Sequence, residues 1–278
     1  MIPVRAATVA LLLAALGLLG ACAGGEGTGP RPLTQEEAER LGVVRFRNYD
    51  LGVRTLDATV PATPDAPAVR LTGWADLATH SGVAVAAEGP ASVAVVTGMV
   101  AWAADDVARL GVHGAPAGAA PGDLPPLPVP ADGWAVGPVT SDGSGLVEVV
   151  RLLQQLGADR PENASLLQQS DAAWLRSDDV DGTPVDVVVG PSPLGAGGAP
   201  TSLPVEARLR YWLDATGTAL RVDLPSGAVV RLGAGSAGVA LGDVAAALPA
   251  PASPPQAAQA APAAPAARVE PAAPLETP

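Results

Sequence analysis

The sequence is short of positive charge, aromatic side chains, cysteine and histidine, and beyond its start it has no long apolar run. Each shortage excludes something. The formal net charge is -12 over 278 residues. Such a surface repels phosphate backbones, which excludes nucleic acid as a partner, and it offers no basic patch for anionic lipid. All 16 basic residues are arginine, which carries no mechanism. One cysteine, Cys22, excludes an internal disulfide. His80 and His113 belong to no His-Glu-x-x-His helix or Cys/His cluster, so no zinc site is expected. Ser144 and Ser236 lack the Gly-x-Ser-x-Gly elbow of a hydrolase nucleophile. The apolar stretch 83–104 is cut by Glu88-Gly89-Pro90, too soon to span a bilayer. Aromatics are only 3% of the chain, so the core must come from Val, Leu and Ala, with five tryptophans as its large pieces.

What is present begins at the N-terminus. Arg5 gives a short basic region, residues 6–19 are apolar or small, and the run closes on Leu19-Gly20-Ala21-Cys22. This is an export signal with a cysteine directly after the small pair. It resembles the bacterial lipoprotein signal. The resemblance implies diacylglycerol on the Cys22 thiol, removal of residues 1–21 and a protein held on the outer face of the cell membrane. A plain signal peptide with an incidental cysteine is the competing reading. Use of the sole cysteine at this position favours lipidation. One acyl chain holds a protein only marginally, whereas two or three on one residue anchor it firmly.

Residues 22–32 are Gly-rich and polar and read as a flexible tether. Thr34 and Glu37 then form a capping box, with Leu33 stapled onto Ala38, and predict a helix over 35–47. Ala38, Leu41 and Val44 face inward, and Arg45 and Arg47 sit near its negative end. Strands follow over 52–60, 69–76, 82–87 and 92–98, then a long loop over 114–130 rich in Gly, Pro and Ala. A second helix is expected over 145–156, capped by Ser144 and Gly157, with Leu146, Val149, Val150, Leu153 and Leu156 as its apolar stripe and Leu152 widening it. A short helix over 163–168 precedes a hairpin of 173–179 and 184–189 about Asp181-Gly182. A second hairpin joins 207–213 to 218–224, and 228–232 is the last strand. Residues 249–278 are Ala/Pro-rich and cannot bury a core. The expected folded unit is 33–244.

Four features carry a family likeness: the Leu19–Cys22 motif; the helix before a meander of strands; the helix ending in Gly157-Ala158-Asp159-Arg160-Pro161; and the pair Trp174-Leu175-Arg176…Val180-Asp181-Gly182 and Arg210-Tyr211-Trp212-Leu213-Asp214…Gly217…Leu220-Arg221-Val222. With them the chain resembles the actinobacterial LppX/LprAFG lipoproteins, which share the fold of the LolA carrier. The resemblance implies an α+β fold: a curved antiparallel sheet, a half-barrel, with a few helices on its concave side. It also implies an apolar cavity for acylated lipid or glycolipid, lined here by Leu146, Val149, Val150, Leu153 and Leu156. It implies no catalytic residues and no cofactor. The tail and the 114–130 loop depart from the family pattern.

Two other motifs have simpler explanations. The sequence Gly233-Ala234-Gly235-Ser236-Ala237-Gly238 matches a dinucleotide fingerprint but lacks the following helix, strand and acid, and reads as a loop. Asp178-Asp179-Val180-Asp181-Gly182 resembles the start of a calcium loop, but Val188 falls where a bidentate Glu is required, so an acidic hairpin turn fits better. The function expected is a membrane-anchored lipoprotein that binds or carries acylated lipid. A scaffolding lipoprotein with a filled core and an exported hydrolase are the alternatives.

Overall fold

In a computed structural model, residues 29–104, 107–140, 145–193 and 201–249 are described. The signal, Cys22, Ser144 and the Ala/Pro tail therefore lie outside the described residues.

Twelve strands form one antiparallel sheet, an open half-barrel, and with the helices this is the expected α+β class. One flank holds β1 (Arg31–Pro32), β8 (Ala173–Val180), β9 (Thr183–Val189), β10 (Arg210–Leu213), β11 (Ala219–Asp223) and β12 (Val229–Gly235), in that order. The other continues with β2 (Val53–Val60), β3 (Val69–Asp76), β4 (Ser81–Glu88), β5 (Val95–Ala104), β6 (Ala108–Gly114) and β7 (Ala135–Pro138). Among the described residues, no helix is long and apolar enough to cross a membrane.

Helix α1 (Gln35–Leu51) starts as its sequence dictates. Thr34 Oγ1 accepts the Glu37 N–H at 3.3 Å and Glu37 Oε2 accepts the Thr34 N–H at 2.9 Å. The helix runs four residues past Arg47, so Arg45 and Arg47 do not sit in its last turn. Arg45 instead reaches a neighbouring helix. Ala38, Leu41 and Val44 are buried as their spacing requires.

Alternation sorts the sheet into two faces. Leu56, Ala58, Leu71, Ala84, Val100 and Trp102 share one face and pack with α1 and with α2 (Gly145–Gln155). Val83, Val85, Met99, Ala101 and Ala103 point the other way. They are covered by Trp134, Leu248 and a short helix, α4 (Gly242–Ala247), which the sequence pattern did not reveal. β6 and β7 were likewise missed, and β5 runs to Ala104 rather than ending at Gly98. Residues 205–207 form a 3-10 turn, so β10 begins at Arg210 and not at Ala207. Gly233 and Gly235 lie within β12, so the expected glycine loop begins only after them. The Asp181-Gly182 turn is present, with φ of 52° and 82°, the mirror-image turn that suits a tight hairpin.

One polar group sits in the middle of the apolar face. β11 and β12 pair only from Arg221↔Arg231 to Asp223↔Val229. Just past that point the fully buried Arg54 donates to Gly233 O at 2.7 Å, Leu232 O at 2.9 Å and Ala219 O at 2.9 Å. It also donates to Asn48 Oδ1 at 2.7 Å. Burial lowers its pKa to about 10, partly countered by Asp214, so it stays cationic at neutral pH.

Candidate functional site

The C-terminal end of α2 is where solid core gives way to open space. The last carbonyls there receive donors from α1. Arg45 Nε donates to Gln155 O at 2.7 Å, and Asn48 Nδ2 donates to Leu156 O at 3.1 Å. These bonds satisfy acceptors that every helix end leaves free. Gly157, expected as a helix cap, has a different role. A Cβ there would sit 1.8 Å from Leu77 O, so only glycine lets the chain pass β3 at this distance.

The five stripe residues divide along the helix. Val149, Val150 and Leu153 are fully buried in the core, and Leu146 is partly buried against it. Leu156 lies at the other end and, with Leu152, lines a cleft of about 460 Å³. The far wall comes from Leu203, Leu209, Tyr211 and Pro225, from chain segments about fifty residues and more away. Leu209 directly precedes β10 and Tyr211 lies within it, on the same side by alternation, but nothing in the sequence placed them against α2.

One end of this apolar cleft is polar. Arg45 Nη1 and Glu162 Oε1 form an ion pair at 3.2 Å. Burial, reinforced by the negative charge of Glu162, pushes the Tyr211 hydroxyl up to about 12, so it stays protonated and available as a donor. Arg208, nearly buried, closes another wall by donating to Asp171 O at 2.7 Å and Gly190 O at 3.2 Å. Burial raises the Asp171 pKa, but hydrogen bonds from Ser192 and the Arg208 charge outweigh it and hold the carboxyl below its ordinary value. A second opening of about 720 Å³ adjoins the cleft, sharing Glu162 and Pro191 with it. It runs beside a third helix, α3 (Ala164–Gln169), capped by Asn163.

Another cleft, about 730 Å³, lies beside Arg54. Asp57, Asp181, Asp214, Arg231 and several threonines line it. An acyl chain there would strip water from those groups without replacing their hydrogen bonds, which costs free energy. The α2 cleft carries no such penalty along its leucines, and its volume falls in the range of about 300–1,000 Å³ usual for small-molecule pockets.

The five tryptophans serve mainly as bulk. Trp102, Trp134 and Trp212 are buried, and Trp174 donates to Asp186 Oδ1 at 2.8 Å while packing on the core. Among the described residues, no group of three or more His, Cys, Asp or Glu could hold a metal ion.

No family model matches the chain, and no curated protein matches it by sequence. Solved structures do. The chain is similar to LprF from Mycobacterium bovis, with 14% identity over 76% of this chain and 98% of that one, at a TM-score of 0.37. It is similar to the lipoprotein LppX from Mycobacterium tuberculosis, with 10% identity over 74% and 97% and a TM-score of 0.38. A Vibrio parahaemolyticus domain described as an outer membrane lipoprotein-sorting protein gives 10% identity over 74% and 97%, with a TM-score of 0.33. LprF and LppX are of the lipoprotein type that the sequence resembles.

Proposed function

We propose that this chain is an exported lipoprotein, cleaved before Cys22 and held on the outer face of the cell membrane by acyl chains on that residue. It binds an acylated lipid or glycolipid in the cleft beside α2 and performs no chemistry on it. One observation carries the binding reading: leucines at the end of α2 and in the loop before β10 line about 460 Å³ of cleft that also holds Arg45, Glu162 and Tyr211. An acyl chain along the leucines gains about 25 cal/mol per Å² of apolar area buried. The polar end then meets a headgroup with donors and an acceptor. Residues Leu152 and Leu156 form the wall on the helix side, while Val149, Val150 and Leu153 hold that wall in place from the core.

Binding of a fluorescent fatty acid tests this. The wild type should bind with saturation, and Leu203→Trp, which fills the cleft from a partly exposed loop position, should lose most of the binding at unchanged melting temperature. No saturable binding by the wild type would favour a second reading, a scaffolding lipoprotein without a ligand. The filled core beneath Val149, Val150 and Leu153 is what supports that second reading.

A further inference from the structure

The tether meets the fold at a fixed point. β1 pairs Arg31↔Trp174 and Pro32↔Ala173 at the edge of β8. The Arg31 guanidinium stacks 4.3 Å above the Trp174 ring and binds Glu37 through two hydrogen bonds of 2.7 and 2.8 Å. Arg31 lies nine residue steps beyond Cys22, a contour of at most about 32 Å at 3.3–3.6 Å per residue.

The second opening lies beside this point. Ser170 and Asp171, just before β8, form part of its wall, together with α3 and residues 191–192 and 201–202. On its lip Leu166 is 65% exposed. The anchored strand, the opening and an exposed leucine thus share one edge of the molecule. A second conspicuous apolar site is the β4–β5 turn, where Val93 is 67% exposed and Val95, at the start of β5 beside the end of β4, is 65% exposed. In sheet order β4 stands eight strand spacings from β1, roughly 38 Å along the sheet at about 4.8 Å each.

We propose that the α3 edge, with Leu166 at its centre, rests on the bilayer surface, so that lipid passes between the outer leaflet and the cleft without crossing water. The proposal rests on the lipid-binding reading and on acylation of Cys22, and adds which face meets the membrane. Leu166 is the side chain that would enter the apolar interface, and its exposed neighbours Glu162, Ser165, Gln169 and Asp171 are polar and would meet the headgroups, so the partner is the lipid surface.

The test uses the acylated full chain in phosphatidylcholine vesicles that carry nitroxide-bearing lipid. Leu166→Cys and Val95→Cys each receive a thiol-reactive fluorophore; the acylated Cys22 does not react. Both sites are equally exposed, so neither substitution disturbs packing. The Leu166 label should be quenched severalfold more strongly than the Val95 label. Equal quenching, or stronger quenching at Val95, overturns the orientation. Fatty-acid binding by the wild type and the same two variants in detergent separates the failures: retained binding with the wrong quenching pattern defeats the orientation alone, and no binding by the wild type defeats the lipid reading.

Discussion

The helical face of the sheet has a closed half and an open half. Over β2–β5, α2 presses Val149, Val150 and Leu153 onto Leu56, Ala58 and Leu71 with no exposed surface to speak of. Arg54 seals the border of that half, where β11 and β12 part. Toward β8–β10 the same helix ends beside Leu203, Leu209 and Tyr211 and leaves a cleft. One amphipathic stripe thus serves two purposes. Its first turns make stability, and its last turn makes a wall. The difference comes from what faces the helix: continuous strands in one half, and a loop with a short strand in the other.

The comparison is broken most severely at its border. Arg54→Met should cost at least about 3 kcal/mol, because four acceptors lose their donor and each dry, unpaired acceptor costs about 1–3 kcal/mol. Denaturant unfolding measures it, and a loss near zero would mean that water replaces the guanidinium. In the closed half, Val150→Trp should overpack the core and cost about 1–3 kcal/mol while sparing lipid binding in the fraction that remains folded.

At the edge of the open half, Glu37 closes the helix cap and holds Arg31. The hydrogen bond from Arg31 is the main cause that lowers its pKa from 4.5 to about 2. A depressed carboxylate pKa stabilises above the unfolded value and loses that contribution as pH falls through the folded one. Glu37→Gln should therefore cost about 0.5–2 kcal/mol at neutral pH. Its deficit relative to wild type should shrink below pH 4.5 and vanish near pH 2. Thermal melts of both proteins across that range measure this. The smallest effect on stability belongs to the cleft itself: Leu203→Trp should stay within about 0.5 kcal/mol of wild type, while its fatty-acid binding falls.

Much of the frame was legible in the sequence because it rests on local rules. The Thr34–Glu37 box started α1 where expected, β3 kept its expected bounds, and the Asp181-Gly182 hairpin formed as its residue types require. Other parts rest on distant partners. Arg54 falls at spacing two with Leu56, Ala58 and Val60 and is buried like them. Its acceptors at Ala219 and Leu232–Gly233 lie more than 160 residues away, and local pattern carries no trace of them. The α2 stripe was visible, but which of its residues meet a cleft depends on Leu203 and Leu209, which the fold brings across from another segment. β6 and β7 escaped notice because one is interrupted by glycine and the other has four residues. Helix α4 is short and Ala-rich, with only Val244 and Ala247 among its buried residues to mark a face.

The most direct measurement is mass spectrometry of organic extracts from the natively purified full chain. Extraction would leave any chains acylated onto Cys22 attached and release non-covalent lipid. The expected result is acylated lipid at near one molecule per wild-type protein, retained in folded Val150→Trp and depleted in Leu203→Trp. Absence of non-covalent lipid from the wild type, or equal lipid in wild type and Leu203→Trp, would contradict the claim that the open half is a lipid site.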